Sequence, residues 1–285
     1  FMGKWCAYQL PAGEGVFTCC AKGHVIGGQT IPCDKIKLRK VISSMVEAKV
    51  EHLGSTGQLE LMRCLQCLTL LFLRGMGLQY DSEEADNLQS FKSSLRWNPE
   101  DDKAAAAKKQ WSLVHWVALS GNAKVAAELL AQGPEGLDAP APTAINEYGF
   151  PKGMRPLHLS LFASNGSAAV AAQLLDAHAN PEARAANEFK SDPLESCAVY
   201  TGSIEQAKFW LDRFPTWNLE RTDALMGMTA LTFSASFNTG IVPLLLERRA
   251  NPRRHSGMMG TDAALIAIVM NVDCKLQILH TLLAS

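Results

Sequence analysis

Between residues 112 and 252 the chain repeats one order of polar punctuation and apolar stripes four times. In "SLVHWVALSGNAKVAAELLAQG", 112–133, the apolar positions Leu113, Val114, Trp116, Val117 and Ala118 cover a face too wide for a lone solvated helix. Val125, Ala126, Leu129 and Leu130 then follow i, i+1, i+4, i+5 spacing, a single stripe along a second helix. Gly133 supplies a left-handed stop. The same order recurs in "RPLHLSLFASNGSAAVAAQLLDAHANP" (155–181), "DPLESCAVYTGSIEQAKFWLDRFP" (192–215) and "TALTFSASFNTGIVPLLLERRANP" (229–252), and a fifth, degenerate copy runs from about Thr261 to Leu283. Two short helices cannot bury such faces alone. Stacked neighbours bury them, so the pattern predicts helix pairs in series and an all-α fold. Small residues such as Ala126, Ala127, Ala171 and Ala172 allow close approach between helices.

The first hundred residues follow other periods. "HVIGGQTI", 24–31, alternates around Gly27-Gly28 and predicts a small β-hairpin. Asp34 is placed to cap a long helix whose apolar positions are Ile36, Val41, Ile42, Met45, Val46, Val50 and Leu53, with Gly54 at its end. A second helix is expected over 58–74, giving a helical hairpin that would cap the N-terminal end of the array. Residues 98–110, "NPEDDKAAAAKKQ", suit a charged helix N-terminus as a lead-in. The expected division is an N-terminal region over 1–105 and a helix-pair region over 106–285.

The tandem segments resemble the ankyrin repeat over roughly residues 109–285. "RPLH" and "SLVH" are similar to that family's Thr-Pro-Leu-His head, and "LLDAHANPEA" and "LLERRANPRR" to its second-helix end and turn. The resemblance implies an α-solenoid of four to five helix-pair repeats. His115, His158, Glu195 and Thr232 share one column, separated by 43, 37 and 37 residues, longer than the family's period of about 33. It also implies that His115 and His158 are structural, tying each helix head to a neighbouring turn by hydrogen bonds. Glu195 and Thr232 depart from that pattern. His178 stands where the family usually has Gly, which costs about 1 kcal/mol in a left-handed conformation. Pro243 either opens the second helix of its segment or kinks it.

Composition narrows the partners. The formal net charge of −1 gives no global attraction to nucleic acid or anionic membrane. The most apolar run, "CLTLLFL" at 67–73, is far short of the ~20 residues that membrane insertion needs. Eight scattered cysteines without a secretory signal read as an intracellular chain with reduced thiols, cytoplasmic or nuclear. The opening on Phe1 and the ending within "ILHTLLAS" read as a piece of a longer protein.

Candidate chemistry is sparse. No glycine-rich phosphate loop, HExxH or nucleophile elbow occurs, so neither catalysis nor a cofactor is expected in this segment. Cys6, Cys19, Cys20, His24 and Cys33 offer soft zinc ligands, but in poor spacing; the alternative is that they are plain thiols. Cys64 and Cys67 form a CxxC inside an apolar helix, where they read as small core hydrophobes.

Two stretches invite a binding role. "GLDAPAPTAINEYGFPKGM", 136–154, places Tyr148, Phe150 and Lys152 near its tip, where the rings either anchor a partner or tuck back onto the first two segments. "ERRANPRRHSG", 247–257, concentrates Arg248, Arg249, Arg253 and Arg254, either to dock an acidic peptide or phosphate or as solvated turn charges. The expected function is that of a protein-interaction module and scaffold, which binds an unidentified protein through a concave face of first helices and the repeat turns. The alternatives are a zinc-organised N-terminal module with these repeats as its recruiting arm, or a regulatory segment of a larger enzyme or channel.

Overall fold

The computed structural model describes residues 25–26, 29–30, 34–75, 85–162, 168–200, 203–236, 240–255, 260, 262–263, 265 and 282. Among them the chain is helical, with two two-residue strands, β1 (Val25–Ile26) and β2 (Gln29–Thr30), paired antiparallel with Val25 opposite Thr30. Gly27-Gly28, Cys6, Cys19, Cys20, His24, Cys33, Cys274 and most of the fifth copy lie outside the described residues. The chain divides into two compact units, residues 1–98 and 99–285.

In the first unit, α1 (Asp34–Ser55) packs on α2 (Leu59–Gly75). Helix α1 runs one residue past Gly54. The turn is made at Gly57, whose φ of 75° suits glycine, and Gln58 N–H closes on the Leu53 carbonyl at 2.9 Å. Leu53 is buried, whereas Val41 and Met45, one turn apart on α1, are exposed. A third helix, α3 (Leu88–Ser94), starts at a reciprocal capping box between Asn87 and Ser90 and buries Leu88 and Phe91. Arg63 of α2 is fully buried; its Nε donates to the Leu95 carbonyl at 2.9 Å, and its guanidinium lies 4.8 Å from the Trp97 ring centre. This clamp holds the end of α3, where the carbonyls of a helix lack intrahelical partners.

The second unit opens with α4 (Pro99–Ala106), which carries three acids in its first turn and Pro at its start, both favourable at a helix N-terminus. Four helix pairs follow: α5 (Leu113–Ser120) with α6 (Ala123–Ala131), α7 (Pro156–Phe162) with α8 (Ala169–Asp176), α9 (Pro193–Tyr200) with α10 (Ile204–Arg213), and α11 (Ala230–Ser236) with α12 (Val242–Glu247). The two helices of each pair pack on each other. Successive first helices also pack, α5 on α7, α7 on α9 and α9 on α11, and α6 packs on α8. Pro243 lies in the first turn of α12 and does not kink it, because its missing N–H needs no intrahelical acceptor there.

The first helices are buried all round. Every residue of α5 and α11 is buried, as is every residue of α7 except half-buried Phe162 and every described side chain of α9. The second helices bury one stripe only, such as Val125, Ala126 and Leu129 on α6 and Gln206, Ala207, Trp210 and Leu211 on α10. Among the described residues no helix is long and apolar enough to cross a membrane.

Candidate protein-binding surface

The residues at the heads of the first helices are occupied within the fold. Ser112 N–H donates to His115 Nδ1 at 3.2 Å, which puts the ring proton on Nε2, and Nε2 donates to the Ala139 carbonyl at 3.0 Å. His158 Nε2 donates to the Ser191 carbonyl at 3.1 Å. Burial holds both imidazoles neutral, pushing each down to about 4 against a backbone bond that opposes the shift. Glu195 and Thr232 close the same turn with different chemistry. Asp192 N–H donates to Glu195 Oε2 at 2.7 Å, and Thr229 N–H donates to Thr232 Oγ1 at 2.7 Å. At three of the four positions, His115, Glu195 and Thr232, the side chain accepts from the N–H at the helix head, whereas at His158 Nδ1 is buried without a hydrogen-bond partner.

A second repeated device joins neighbouring pairs at the ends of the second helices. Arg213 reaches Asp176 at 2.6 Å, and Arg248 reaches Asp212 at 2.5 Å. The turns beyond carry a matching Asn column. The N–H of Glu182, Glu220 and Arg253 donates to Asn180, Asn218 and Asn251 Oδ1 at 2.9, 3.0 and 3.0 Å. Each Asn carbonyl then accepts from the residue three further on. Acids bridge these turns in series: Asp138 accepts from Asn180 N–H, Glu182 pairs with Arg221, and Glu220 accepts from Asn251 N–H. The turns at Asn180 and Asn251 lie in the quoted segments but the one at Asn218 does not, and the column was missed. Aligning the three Asn residues, rather than the helix heads, would have shown it.

The 136–154 loop folds back on its own pair. Trp111 Nε1 donates to the Thr143 carbonyl at 3.0 Å, Ile145 and Phe150 form a β-bridge, and Gly149 turns the tip with φ 74°. Phe150 is 2% exposed, with its ring 4.8 Å from Phe162 and 6.0 Å from Trp111. It is therefore a core residue and is withdrawn from the expected partner-binding set; an apolar ring next to two others gains more by burial than at a wet tip. Tyr148 is half-buried and Lys152 is exposed. Gly153 (φ 86°) backs closely onto the Ala186 carbonyl, where a Cβ would collide.

The basic cluster divides. Arg248 is engaged with Asp212, while Arg249, Arg253 and Arg254 are exposed. No side chain of the first helices is exposed among the described residues. The outward-facing parts are the turns and the open sides of the second helices.

Among the described residues no group of three or more His, Cys, Asp and Glu is placed to hold a metal ion. Cys64 and Cys67 are buried, and burial pushes the Cys67 thiol up to about 12, so it stays protonated and inert. A comparison with protein-family models finds no match, and a comparison with curated proteins finds none.

Proposed function

We propose that residues 106–285 form an ankyrin-like α-solenoid that acts as a protein-interaction module and scaffold, binding a partner through its turns. The observation that carries this reading is the Asn-turn column. Asn180, Asn218 and Asn251 make the same turn in successive segments and are all exposed, so a row of similar loops stands on one edge of the array. Rigid loops on a packed scaffold are the usual place for recognition.

The reading assigns no catalysis or cofactor to this segment. His115, His158 and the Asp192–Glu195 pair are buried and hydrogen-bonded at helix heads. Lys152, Arg249, Arg253 and Arg254 remain as partner-facing groups, with Tyr148 at the edge. The reading takes the chain to be intracellular, in keeping with the free thiols Cys64 and Cys67 of the first unit and Cys197 of the module.

The test is affinity capture with the full chain as bait, followed by hydrogen exchange of the purified complex. Slowed exchange confined to 133–154, 178–192, 214–228 and 249–255 supports the reading. Retention of no protein, or protection confined to the second helices, contradicts it.

A further inference from the structure

We infer that the turn at Asn251 is a docking site for a carboxylate-rich segment of a partner protein. The inference rests on the binding-module reading and specifies its partner chemistry. Two residues beyond the Asn of each turn stands a residue with a fixed task. Glu182 pairs forward with Arg221 of the following segment, and Glu220 accepts forward from Asn251 N–H. At the third turn Arg253 occupies that position, so the sign of the bridging group is reversed. Its neighbour Arg254 and the preceding Arg249 are exposed as well, and no carboxylate of the described residues pairs with any of the three. Arg249 has φ 67°, ending α12 in the left-handed conformation, and Ala250 N–H closes on the Leu245 carbonyl at 2.9 Å. Three guanidinium groups are thus mounted on a hydrogen-bonded turn, which limits the ordering that binding requires.

The proposed occupant is a segment of another chain. Residues 256–285 contain only two carboxylate side chains, Asp262 and Asp273, and Asp262 already accepts from Leu265 N–H at 2.9 Å. A carboxylate run fits better than a polyanionic surface. The guanidinium fork matches a carboxylate bidentately, whereas nucleic acid and lipid surfaces are held by larger basic areas than one turn of a chain with net charge −1.

The experiment is fluorescence anisotropy of labelled hexaglutamate with the full chain at low and physiological salt. Wild type is expected to bind, and R253E/R254E to bind at least about tenfold more weakly with unchanged Tm, since both side chains are exposed. R253Q/R254Q is expected to fall between them. No wild-type binding, equal binding by R253E/R254E, or preference for oligothymidylate or phosphatidylserine vesicles overturns the inference. A partner captured equally by wild type and R253E/R254E, with no hexaglutamate binding, defeats the acidic specificity alone. Failure to capture any partner defeats the module reading instead.

Discussion

Asp192 and Glu195 cap each other at the head of α9: Asp192 N–H donates to Glu195 Oε2 at 2.7 Å, and Glu195 N–H donates to Asp192 Oδ1 at 2.9 Å. The two carboxyls are thereby buried side by side. Burial first, then the charge of Asp192, push Glu195 from its ordinary 4.5 up to about 9, against the Asp192 N–H bond and Arg184. Burial raises Asp192 as well, opposed by its bond to Glu195 N–H and by Arg221, whose Nε stands 3.4 Å away. A raised carboxyl stabilises the fold fully below 4.5, and that contribution is lost as pH climbs towards about 9. Glu195→Gln is therefore expected to flatten the decline in stability between about pH 5 and pH 8, by on the order of 2 kcal/mol. Urea midpoints across that range check it, and an unchanged slope contradicts it.

The histidines act in the opposite sense. His115 and His158 sit at about 4 in the fold against an ordinary 6.5, so their contribution is complete above 6.5 and drains away as pH falls towards 4. His158→Ala removes a fully buried ring and the bond to the Ser191 carbonyl. A loss of about 2–3 kcal/mol at neutral pH is expected, with a shallower decline below pH 6.5 than wild type. Equilibrium unfolding at neutral and mildly acid pH measures both.

His178 carries φ 70° at the end of α8, the place Gly133 takes after α6 with φ 63°. The ring makes the chain hold a left-handed residue with a Cβ. His178→Gly is expected to raise stability by about 0.5–1 kcal/mol, seen as a higher Tm. A lower Tm would show that the entropy glycine adds to the unfolded chain outweighs the relief of strain.

The helix pairs were legible because apolar spacing and the Gly punctuation reflect local geometry: Gly133 and His178 both end their helices in the left-handed conformation read from the sequence. Long-range partners were not legible. Only the fold brings the end of α3 to the guanidinium of Arg63. Helix α3 went unread because it is seven residues long, although Asn87 and Ser90 spell its cap. The aromatic loop tip carried the same ambiguity: whether Phe150 faces a partner or Trp111 depends on a fold-back joining residues 32 apart, Trp111 Nε1 to Thr143 O. The bridging acids and the sign reversal at Arg253 need three turns in register before they mean anything.

That loop yields a clean contrast. Phe150→Ala is expected to cost about 3–5 kcal/mol, because it empties a site between Trp111 and Phe162. Tyr148→Ala, at a half-buried position, is expected to change stability by under about 1 kcal/mol. Thermal unfolding of the two single variants separates them; equal losses would mean the tip packs as one unit.

Both proposals depend on the helix pairs lying in order, one layer per segment. Ala131, Asp176, Asp212 and Glu247 occupy the same exposed place near the ends of the second helices. Spin labels introduced as non-natural amino acids, and measured by pulsed dipolar spectroscopy, read that order directly. Packed helices lie about 8–10 Å apart, so the 131–247 distance is expected near 30 Å, about half as long again as the 131–212 distance. A 131–247 distance equal to or shorter than the 131–212 distance would mean that the fourth pair folds back on the first, and the stacked-layer account would be wrong.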